Sequence, residues 1–432
     1  MAKKLIAGLA ALAATVLLAS CSSGGGTSST DASAITGEIT VLTNRTDIVD
    51  TTFKDYAAEF EKAYPGTTVK FEAIAKYETD VPTRLSSGNY GDVLLIPNTV
   101  TKAQLPQFFE PLGTVDELSK TYRFVAEQAY DGKAYGVAQT GNAQGIVYNK
   151  KVWAAAGITA LPTTPDEFIT DLKAIKDKTG VTPYYTNYKD GWPLSQWDGN
   201  RAVTGNADET VKLISSTAPW AKGEYHEIAD GLLFDIVKDG LSEADPTTTD
   251  WETSKGSLGS GKVASMVLGS WAISQMQDAA VKAGGTKEDI GYMPFPYQAN
   301  GKFYSTVAGD YKNGISSKST NKATARAWID WFAQKSGYAA SQGGLSPLID
   351  GEVPAVLADF TKAGVTYLEL TPAPAGKETL ENDIVSASEI DLTGNIYRAK
   401  LIDIARGAAQ GDKASYFDEL NKKWADAVKS VG

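Results

Sequence analysis

One histidine and one cysteine limit the chemistry that this chain of 432 residues can perform. A Ser-His-Asp triad would have to use His226, and a Cys-His pair would have to join His226 to Cys21. Two such residues cannot assemble a zinc site of the usual Cys/His type, and a single cysteine allows no intramolecular disulfide. The sequence therefore predicts no metal or cofactor, and it leaves carboxylate chemistry open among 52 acidic residues.

The charge balance argues against two classes of partner. Lys and Arg number 41 against 52 Asp and Glu, which gives a net charge of −11. Nucleic acid requires a basic face and anionic lipid attracts basic segments, so we expect this acidic chain to bind neither by electrostatics. Apolar residues make up 42% of the sequence, which is enough for a sizeable core, and the length favours two large domains.

Hydrophobic spacing in the first third of the chain predicts alternating strands and helices. Residues 38–44, 68–73 and 93–96 have the apolar patterns of strands. Between them, residues 50–64 carry apolar side chains at i, i+3, i+4, i+7 and i+11, on one helix face, and a second helix is predicted over residues 77–86. This βαβαβ order predicts an α/β domain with a parallel sheet.

Later segments continue the alternation. Asp131-Gly132 predicts a tight turn. A capping box at Thr164 to Glu167 predicts the start of a helix. Further strands are predicted at 145–148 and 263–268, and helices at 150–156, 272–283, 322–332 and through most of the chain from Glu389 onward.

The first twenty residues have the pattern of a signal peptide. Lys3 and Lys4 precede an apolar stretch, residues 5–18, which is too short to span a bilayer about 30 Å thick. The stretch ends in Leu18-Ala19-Ser20-Cys21. This tetrapeptide resembles the bacterial lipobox, in which a peptidase cuts before a cysteine that carries diacylglycerol. An ordinary secretory signal with a chance cysteine is the alternative.

We therefore expect residues 1–20 to be a lipoprotein signal peptide and Cys21 to be lipidated. The Gly/Ser-rich residues that follow, 21–36, are predicted to form a flexible tether. The lipid would hold the body at the extracellular face of a cell membrane. In a bacterium with two membranes Ser22 would favour outer-membrane sorting, so we expect the surface of a Gram-positive cell as the setting.

A set of segments carries a family resemblance, in an order and spacing that cover nearly the whole chain after the tether. They are 53–66 (Phe-Lys-Asp-Tyr-Ala-Ala-Glu-Phe-Glu-Lys-Ala-Tyr-Pro-Gly), 87–93, 131–137 with 146–150 and 161–168, 261–271 (Gly-Lys-Val-Ala-Ser-Met-Val-Leu-Gly-Ser-Trp), and 314–318 leading into 325–332. Together they resemble the extracellular solute-binding proteins of bacterial ABC sugar importers, the broad group that includes maltose-binding protein.

The resemblance implies a periplasmic-binding-protein-like fold, with two α/β lobes, a hinge and a ligand cleft between the lobes. It implies a monomeric substrate-binding lipoprotein that captures a carbohydrate, in particular an oligosaccharide, by hinge closure. The ligand would pass to ABC permease subunits in the membrane. The ATPase would be a separate chain, because this one has no Gly-x-x-x-x-Gly-Lys-Ser/Thr loop.

The family's chain crosses between its lobes more than once. By position, the crossings are expected near 139–145, 308–314 and 333–343. The N-terminal lobe would then comprise residues 37–140 plus 308–333. The C-terminal lobe would comprise residues 141–307 plus 334–432.

Aromatic residues are the first candidates for a sugar site. A sugar presents apolar C–H faces and a rim of hydroxyls, so binding it requires aromatic surfaces and planar polar side chains. Trp192 lies in a turn-rich stretch that is suited to the rim of a cleft, and packing under a loop is the alternative. Trp271 occupies the place where the family commonly has an aromatic that lines the cleft. Trp251 is left unassigned.

Polar candidates follow the predicted strands of the first lobe. Asn44, Arg45 and Asp47 come directly after the first strand, and ligands of open parallel sheets lie at the carboxyl ends of strands. Arg45 could donate a fork of two hydrogen bonds to adjacent hydroxyls, and Asp47 could accept another. Asn98 follows the 93–96 strand with the same logic. A solvated loop is the alternative.

Two further candidates lie in the predicted crossings. Asn142 lies in the first crossing, where the family often has a polar contact. Asp310 lies in the second, where it could bond a hydroxyl or fix the hinge.

Other functions stay open at this point. A surface-anchored glycoside hydrolase would need two carboxylates about 5–10 Å apart, one with a raised pKa, and no pair is marked in the sequence. A surface lipoprotein without transport function would lack a closing cleft. The same fold could also bind a non-sugar solute such as a peptide or a polyamine.

Overall fold

The computed structural model describes residues 35–431. The expected signal peptide, Cys21 and residues 21–34 of the expected tether lie outside the described residues. In chain order the strands are β1 (Gly37–Thr43), β2 (Thr67–Ala73), β3 (Val93–Leu95), β4 (Phe109–Glu110), β5 (Gly113–Thr114), β6 (Ala129–Tyr130), β7 (Lys133–Ala134), β8 (Val137–Ala138), β9 (Gly141–Asn149), β10 (Ser265–Gly269), β11 (Ile290–Met293), β12 (Gln298–Ala299), β13 (Lys302–Gly309), β14 (Lys312–Ser316) and β15 (Thr366–Leu368).

Helices cover the two six-stranded sheets that most of these strands form, and β5, β7 and β6 form a third, three-stranded sheet. In chain order they are α1 (Thr52–Ala63), α2 (Tyr77–Ser87), α3 (Leu105–Phe108), α4 (Val115–Leu118), α5 (Lys150–Ala155), α6 (Pro165–Thr179), α7 (Glu209–Leu213), α8 (Tyr225–Lys238), α9 (Trp251–Gly259), α10 (Ala272–Lys282), α11 (Lys322–Lys335), α12 (Tyr338–Ser341), α13 (Ala358–Lys362), α14 (Leu380–Ser388), α15 (Ile396–Ala405) and α16 (Lys413–Val431). A 3-10 stretch, Trp192–Thr204, lies between α6 and α7.

The first sheet has the strand order β2-β1-β3-β14-β4, and β8 also pairs with β14. Strands β1, β2 and β3 are parallel, as the βαβαβ pattern predicts, while β14 runs antiparallel to β3. Alternate side chains of β1 face opposite cores. Val41 packs in the core under α1 and α11, and Leu42 packs in the core under α2.

The second sheet has the order β10-β9-β13-β12, with β11 beside β9 and β15 beside β13. Its pairs are antiparallel except for β13 with β15, so it differs from the first sheet. One face packs on the 3-10 stretch, α8 and the C-terminal helices, and the other on α10 and α13. This mixed architecture of two α/β units confirms the expected fold class.

Two crossings carry the chain between the sheets side by side. The chain leaves the first sheet after β8 and enters β9 through Gln139 and Thr140, and it returns from β13 to β14 through Asp310 and Tyr311. The Gln139 N–H donates to the Tyr311 carbonyl (2.9 Å), and the Asp310 N–H donates to the Thr140 carbonyl (2.8 Å). The crossings therefore form one narrow antiparallel ribbon between the sheets.

A third segment joins this ribbon after α12. Leu345 and Gly141 exchange two backbone hydrogen bonds of 2.8 Å each. Tyr338 of α12 packs in the core of the first sheet, whereas Leu345 packs in a core of the second. The chain therefore passes from one core to the other within this segment.

A buried ion network fixes the 3-10 stretch to the helices beneath it. Arg398 Nε lies 2.9 Å from Asp230 Oδ1, and Arg201 Nη2 lies 2.7 Å from Asp198 Oδ2. The lone histidine, His226, places Nε2 3.2 Å from Asp198 Oδ1. Burial would raise the pKa of Asp198, but Arg201, His226 and Arg398 hold it well below its usual range. The charged groups therefore tie the 3-10 stretch to α8 and α15.

We expect Asp230→Ala to lower the free energy of unfolding by about 3–5 kcal/mol, because it removes the carboxylate that hydrogen-bonds the fully buried Arg398 guanidinium and leaves only the more distant Asp198. Urea denaturation measures the change. The matched control is Glu419→Gln, which removes an exposed pair with Lys400 and should cost less than about 1 kcal/mol. Equal losses in the two variants would contradict the structural importance of the buried pair.

Candidate functional site

The carboxyl edge of the first sheet brings polar side chains together around Tyr311. Asn44 follows β1 and Asn98 follows β3, and these two strands are neighbours in the sheet. Burial and a hydrogen bond with Glu78 raise the pKa of Tyr311, and a hydrogen bond with Asn44 lowers it. The backbone N–H of Asn98 donates to Glu78 Oε2 (2.9 Å). Glu78 and the two asparagines therefore lie close to Tyr311 at this edge of the sheet.

Arg45 is occupied by protein groups in a way that the sequence did not predict. Its Nε and Nη2 donate to the two oxygens of Asp47 at 2.8 and 2.7 Å. Its Nη1 donates to the Tyr338 hydroxyl (2.8 Å) and to Gln342 Oε1 (2.6 Å). The side-chain hydrogen bonds from Arg45 hold the pKa of the exposed Asp47 carboxyl below its usual range. The donor fork expected to face hydroxyls thus binds Asp47, and Arg45 links the β1 loop to the third crossing.

Three tryptophans meet on the second sheet's side, and each lies where a helical element begins. The ring centroids of Trp192 and Trp251 are 5.1 Å apart, those of Trp192 and Trp271 5.8 Å, and those of Trp251 and Trp271 5.6 Å. Trp192 is 38% exposed, which is high for so large an apolar side chain. Asp190 Oδ2 accepts the Trp251 N–H (2.6 Å) and holds two of the three segments together. We call these residues the tryptophan cluster.

Polar side chains of β9 lie beside the tryptophan cluster. Asn142 and Gln144 share one face of β9, since side chains alternate along a strand. The Ser270 hydroxyl donates to Asn142 Oδ1 (3.4 Å), and Ser270 directly precedes Trp271. A Cβ at Gly269 would lie 2.6 Å from Trp271 Nε1 and 3.5 Å from Gln144 Nε2, so both side chains pass close to that glycine. Gln144 Oε1 is buried and has no hydrogen-bond partner among the described residues.

The crossing strands link the two groups, and we call the region between the groups the candidate cleft. Tyr311 on the first-sheet side follows Asp310, whose N–H donates to the Thr140 carbonyl two residues before Asn142. Asp310 is exposed, and its Oδ1 accepts the Tyr311 N–H (2.9 Å). Asn142 in turn contacts Ser270, next to Trp271. A short chain of contacts therefore leads from the first-sheet edge to the tryptophan cluster.

Most sequence-predicted residues fall on the borders of the candidate cleft. Asn44 and Asn98 lie at the first-sheet edge, and Asn142 and Asp310 lie at the crossings. Trp192 and Trp271 belong to the tryptophan cluster. Asp47 pairs with Arg45 at the outer end of the β1 loop. Contact of each with a ligand stays a prediction.

Three other side chains of this region were not among the predicted residues: Trp251, Gln144 and Tyr311. The sequence feature that could have identified Trp251 is the N-cap residue directly before it. Asp250 Oδ1 accepts the Thr253 N–H (2.8 Å), which places Trp251 at the start of a helix. Gln144 could have been identified because it lies two residues after Asn142 in the same strand, so the two side chains share one face. Tyr311 directly follows the predicted Asp310.

The described residues contain no helix long and apolar enough to cross a membrane. Among residues 35–431, no group of three or more His, Cys, Asp or Glu side chains is arranged to hold a metal ion.

The sequence matches the family of bacterial extracellular solute-binding proteins over residues 45–339. A solved binding protein of an ABC transporter from Bifidobacterium animalis subsp. lactis, in complex with mannobiose, is 35% identical, with a TM-score of 0.79 over 92% of this chain and 96% of that one. A manno-oligosaccharide-specific solute-binding protein of the same organism, in complex with mannotriose, is 34% identical, with a TM-score of 0.80 over 93% and 96%. The diacetylchitobiose binding protein DasA of Streptomyces coelicolor is 26% identical over 98% of this chain and 99% of its own length.

The matched region covers more than half of the chain, and two solved relatives exceed 30% identity over nearly the full length. The protein belongs to the bacterial extracellular solute-binding protein family. The resemblance deduced from the sequence segments is confirmed.

We expect Gly269→Ala to disturb the tryptophan cluster, because the new Cβ would meet the Trp271 indole, which Trp192 and Trp251 hold in place. The expected loss is about 1–3 kcal/mol in the free energy of unfolding, with altered near-UV circular dichroism. Gly256→Ala is the control, since a Cβ there meets nothing within 4 Å and the helix should gain up to about 1 kcal/mol. A Gly269→Ala protein with unchanged stability and spectrum would contradict this packing.

Proposed function

We propose that the protein is the substrate-binding component of an ABC transporter, and that it captures an oligosaccharide in the candidate cleft and delivers it to the membrane permease. The observation that carries the proposal is the tryptophan cluster beside the unpartnered amide oxygen of Gln144. Indole faces can stack on the apolar C–H faces of a sugar, and an amide can accept from its hydroxyls. Membership of the solute-binding family supports the same conclusion.

The two sides of the cleft would have different tasks. Trp192, Trp251 and Trp271 are proposed to stack on sugar rings, while Asn142 and Gln144 bond their hydroxyls. On the first-sheet side, the polar groups proposed to complete the site when the lobes approach are Asn44, Asp47, Asn98, Tyr311 and Asp310. Because its donors are engaged, Arg45 is proposed to position Asp47 and Gln342.

Capture is proposed to occur by hinge closure. The lobes are proposed to comprise residues 37–140 plus 308–333 and residues 141–307 plus 334–432. A ligand that contacts both lobes at once favours the closed form by the difference in its affinity for the two states. The permease would then bind the closed surface. No covalent chemistry takes place in this scheme.

A short manno-oligosaccharide is the cargo we propose to test first. Two relatives of 34–35% identity that cover most of both chains were solved with mannobiose and mannotriose. The diacetylchitobiose binding protein is more distant in sequence. A peptide, a polyamine or another solute in the same cleft would appear as silence across a sugar panel.

Binding without hydrolysis is the proposed outcome of capture. A glycoside hydrolase needs a carboxyl group with a raised pKa at the site. Within the described residues, two carboxyl groups have a raised pKa. Burial raises the pKa of Asp171 on α6 to about 6, and burial also raises the pKa of Glu243. Glu243 accepts the Thr186 N–H (2.9 Å), and neither residue borders the candidate cleft. This distribution supports a binding protein rather than an enzyme.

The location of the protein is proposed from the sequence pattern. Residues 1–20 would be removed as a signal peptide, and Cys21 would carry a lipid in the cell membrane. Residues 21–36 would tether the monomeric body at the extracellular face. A Gram-positive surface is the proposed setting.

The first experiment is a titration of the chain from Thr27 onward with mono- and oligosaccharides, including mannobiose and mannotriose. Tryptophan fluorescence is the readout and calorimetry confirms the affinity. Saturable binding of one sugar class, with the sugar recovered intact, is expected. Silence across the panel would contradict a sugar cargo, and cleavage of the sugar would support a hydrolase.

We expect Trp271→Ala to weaken oligosaccharide binding by about 1–3 kcal/mol, the range for one lost stacked aromatic contact. Isothermal titration calorimetry measures the change in Kd. Trp331→Phe is the control. Trp331 is buried in the core of the first sheet, so its substitution should leave Kd unchanged. Unchanged affinity in a folded Trp271→Ala protein would remove this residue from the site.

A further inference from the structure

A cavity lies at the far end of β9 from the candidate cleft, and we call it the α5 cavity. Its volume is about 400 Å³, which is within the range of small-molecule sites. The end of β9, α5 with the loop that follows it, and α13 form its walls. Tyr148 lines it and is six residues from Asn142 along β9, a distance of about 20 Å in a strand. The α5 cavity is therefore separate from the polar wall of the candidate cleft.

Aromatic and aliphatic side chains make up most of the wall of the α5 cavity. Tyr148 and Trp153 pack edge to face, with their ring centroids 5.4 Å apart. Ile158 and Leu161, on the loop after α5, extend this apolar surface, and both are only partly buried. Gly291 of β11 is the strand partner of Tyr148, and a Cβ there would lie 2.5 Å from the Tyr148 ring. The glycine therefore lets this ring approach the β11 backbone closely.

One buried donor in this wall lacks a partner. Trp153 is only 3% exposed, and its indole N–H has no hydrogen-bond acceptor among the described residues. A buried N–H without an acceptor costs free energy, and nearly all such groups in folded proteins are paired. Because Trp153 lines the α5 cavity, a ligand bound there could supply the acceptor.

The charged residues of the lining favour an anionic ligand. They are Lys150, Lys362 and Asp359, which together leave one net positive charge. Lys150 Nζ lies 2.9 Å from Asp359 Oδ2, so this carboxylate is already engaged, while Lys362 is exposed at the end of α13. Burial and the Asp359 carboxylate raise the pKa of Tyr148 to about 12, so its hydroxyl keeps its proton at neutral pH and can donate. Ammonium, hydroxyl and indole donors thus line one apolar cavity.

We propose that the α5 cavity is a second binding site, which takes a small organic anion with a carboxylate on an apolar or aromatic body. The body packs on Trp153, Ile158 and Leu161. The carboxylate accepts hydrogen bonds from Lys362 and from the donors of the aromatic wall. None of the residues proposed to bind the sugar lines this cavity, so the inference does not depend on the cargo of the candidate cleft.

The test follows the indole N–H signals of the chain from Thr27 onward by heteronuclear NMR, and single Trp→Phe variants assign these signals. Indole-3-acetate is the probe, and indole-3-acetamide is its neutral counterpart of nearly the same shape. Indole-3-acetate should shift the Trp153 signal saturably and leave those of Trp192, Trp251 and Trp271 in place. The amide should bind at least about two- to five-fold more weakly, because it lacks the charge that Lys362 attracts.

Two pairs of variants locate the probe. Ala154→Phe should abolish the shift, because Ala154 is exposed on α5 and lines the cavity, whereas Ala155→Phe is the control, since Ala155 is equally exposed and does not line it. Lys362→Gln should raise the Kd for indole-3-acetate about two- to five-fold, and Lys62→Gln on α1 should leave it unchanged. Thermal unfolding verifies that each variant folds, and Ala154→Leu replaces Ala154→Phe if the latter does not.

A Trp153 signal that does not move at millimolar indole-3-acetate would overturn the second site, and so would a shift that survives Ala154→Phe. Equal affinity for indole-3-acetamide would overturn the anionic class of ligand. A shift of the Trp271 signal instead would place the probe in the candidate cleft and also overturn the proposal. Silence of the sugar panel would leave these results unaffected, because the probe titration uses no sugar.

Discussion

The pairing of β9 with β13 at the point where both strands cross between the sheets is the constraint on which the rest of the structure depends. Its register sets Gly141 opposite Gly309 and Asn142 opposite Ala308. Because side chains alternate along a strand, this register turns the glycine pair toward Phe124 and Asn142 toward the tryptophan cluster. A shift by one residue would exchange these faces. One set of backbone hydrogen bonds therefore places both the polar wall of the candidate cleft and the glycine pair against which Phe124 packs.

The tryptophan cluster depends on a different kind of support. Its members begin three separate helical elements, and the 3-10 stretch that carries Trp192 lies on the buried network of Asp198, Arg201 and Arg398. Buried ion pairs add little net stability, because the cost of desolvation opposes their attraction. Their directional bonds nevertheless join the 3-10 stretch to α8 and α15 at defined points. We infer that the network fixes the position of the stretch more than it contributes to stability.

The first sheet was predictable because its signals are local: βαβαβ alternation and the helix face of residues 50–64 agree with β1 to β3 and α1. The strand order of the second sheet was not predictable, because β9 pairs with β10 across more than a hundred residues and no local pattern encodes that antiparallel order. Arg45 illustrates the same limit. Its partner Tyr338 is 293 residues away, so a donor fork that looked free in sequence is occupied in the structure. Aromatic and amide residue types were identifiable, whereas their assembly into one cluster was not.

The third crossing links both walls of the candidate cleft. On the first-sheet side, Gln342 Oε1 accepts a hydrogen bond from Arg45. On the other side, a Cβ on the adjacent Gly343 would lie 3.4 Å from the Ser274 hydroxyl, and Ser274 belongs to α10, the helix that follows Trp271. If the lobes close as proposed, this segment must change its backbone angles along with the two-stranded ribbon. Gly343 has a left-handed φ of +67°, and glycine adopts such angles without steric cost. A glycine at this place can absorb the rotation locally, while the paired strands keep their register and the walls keep their shape.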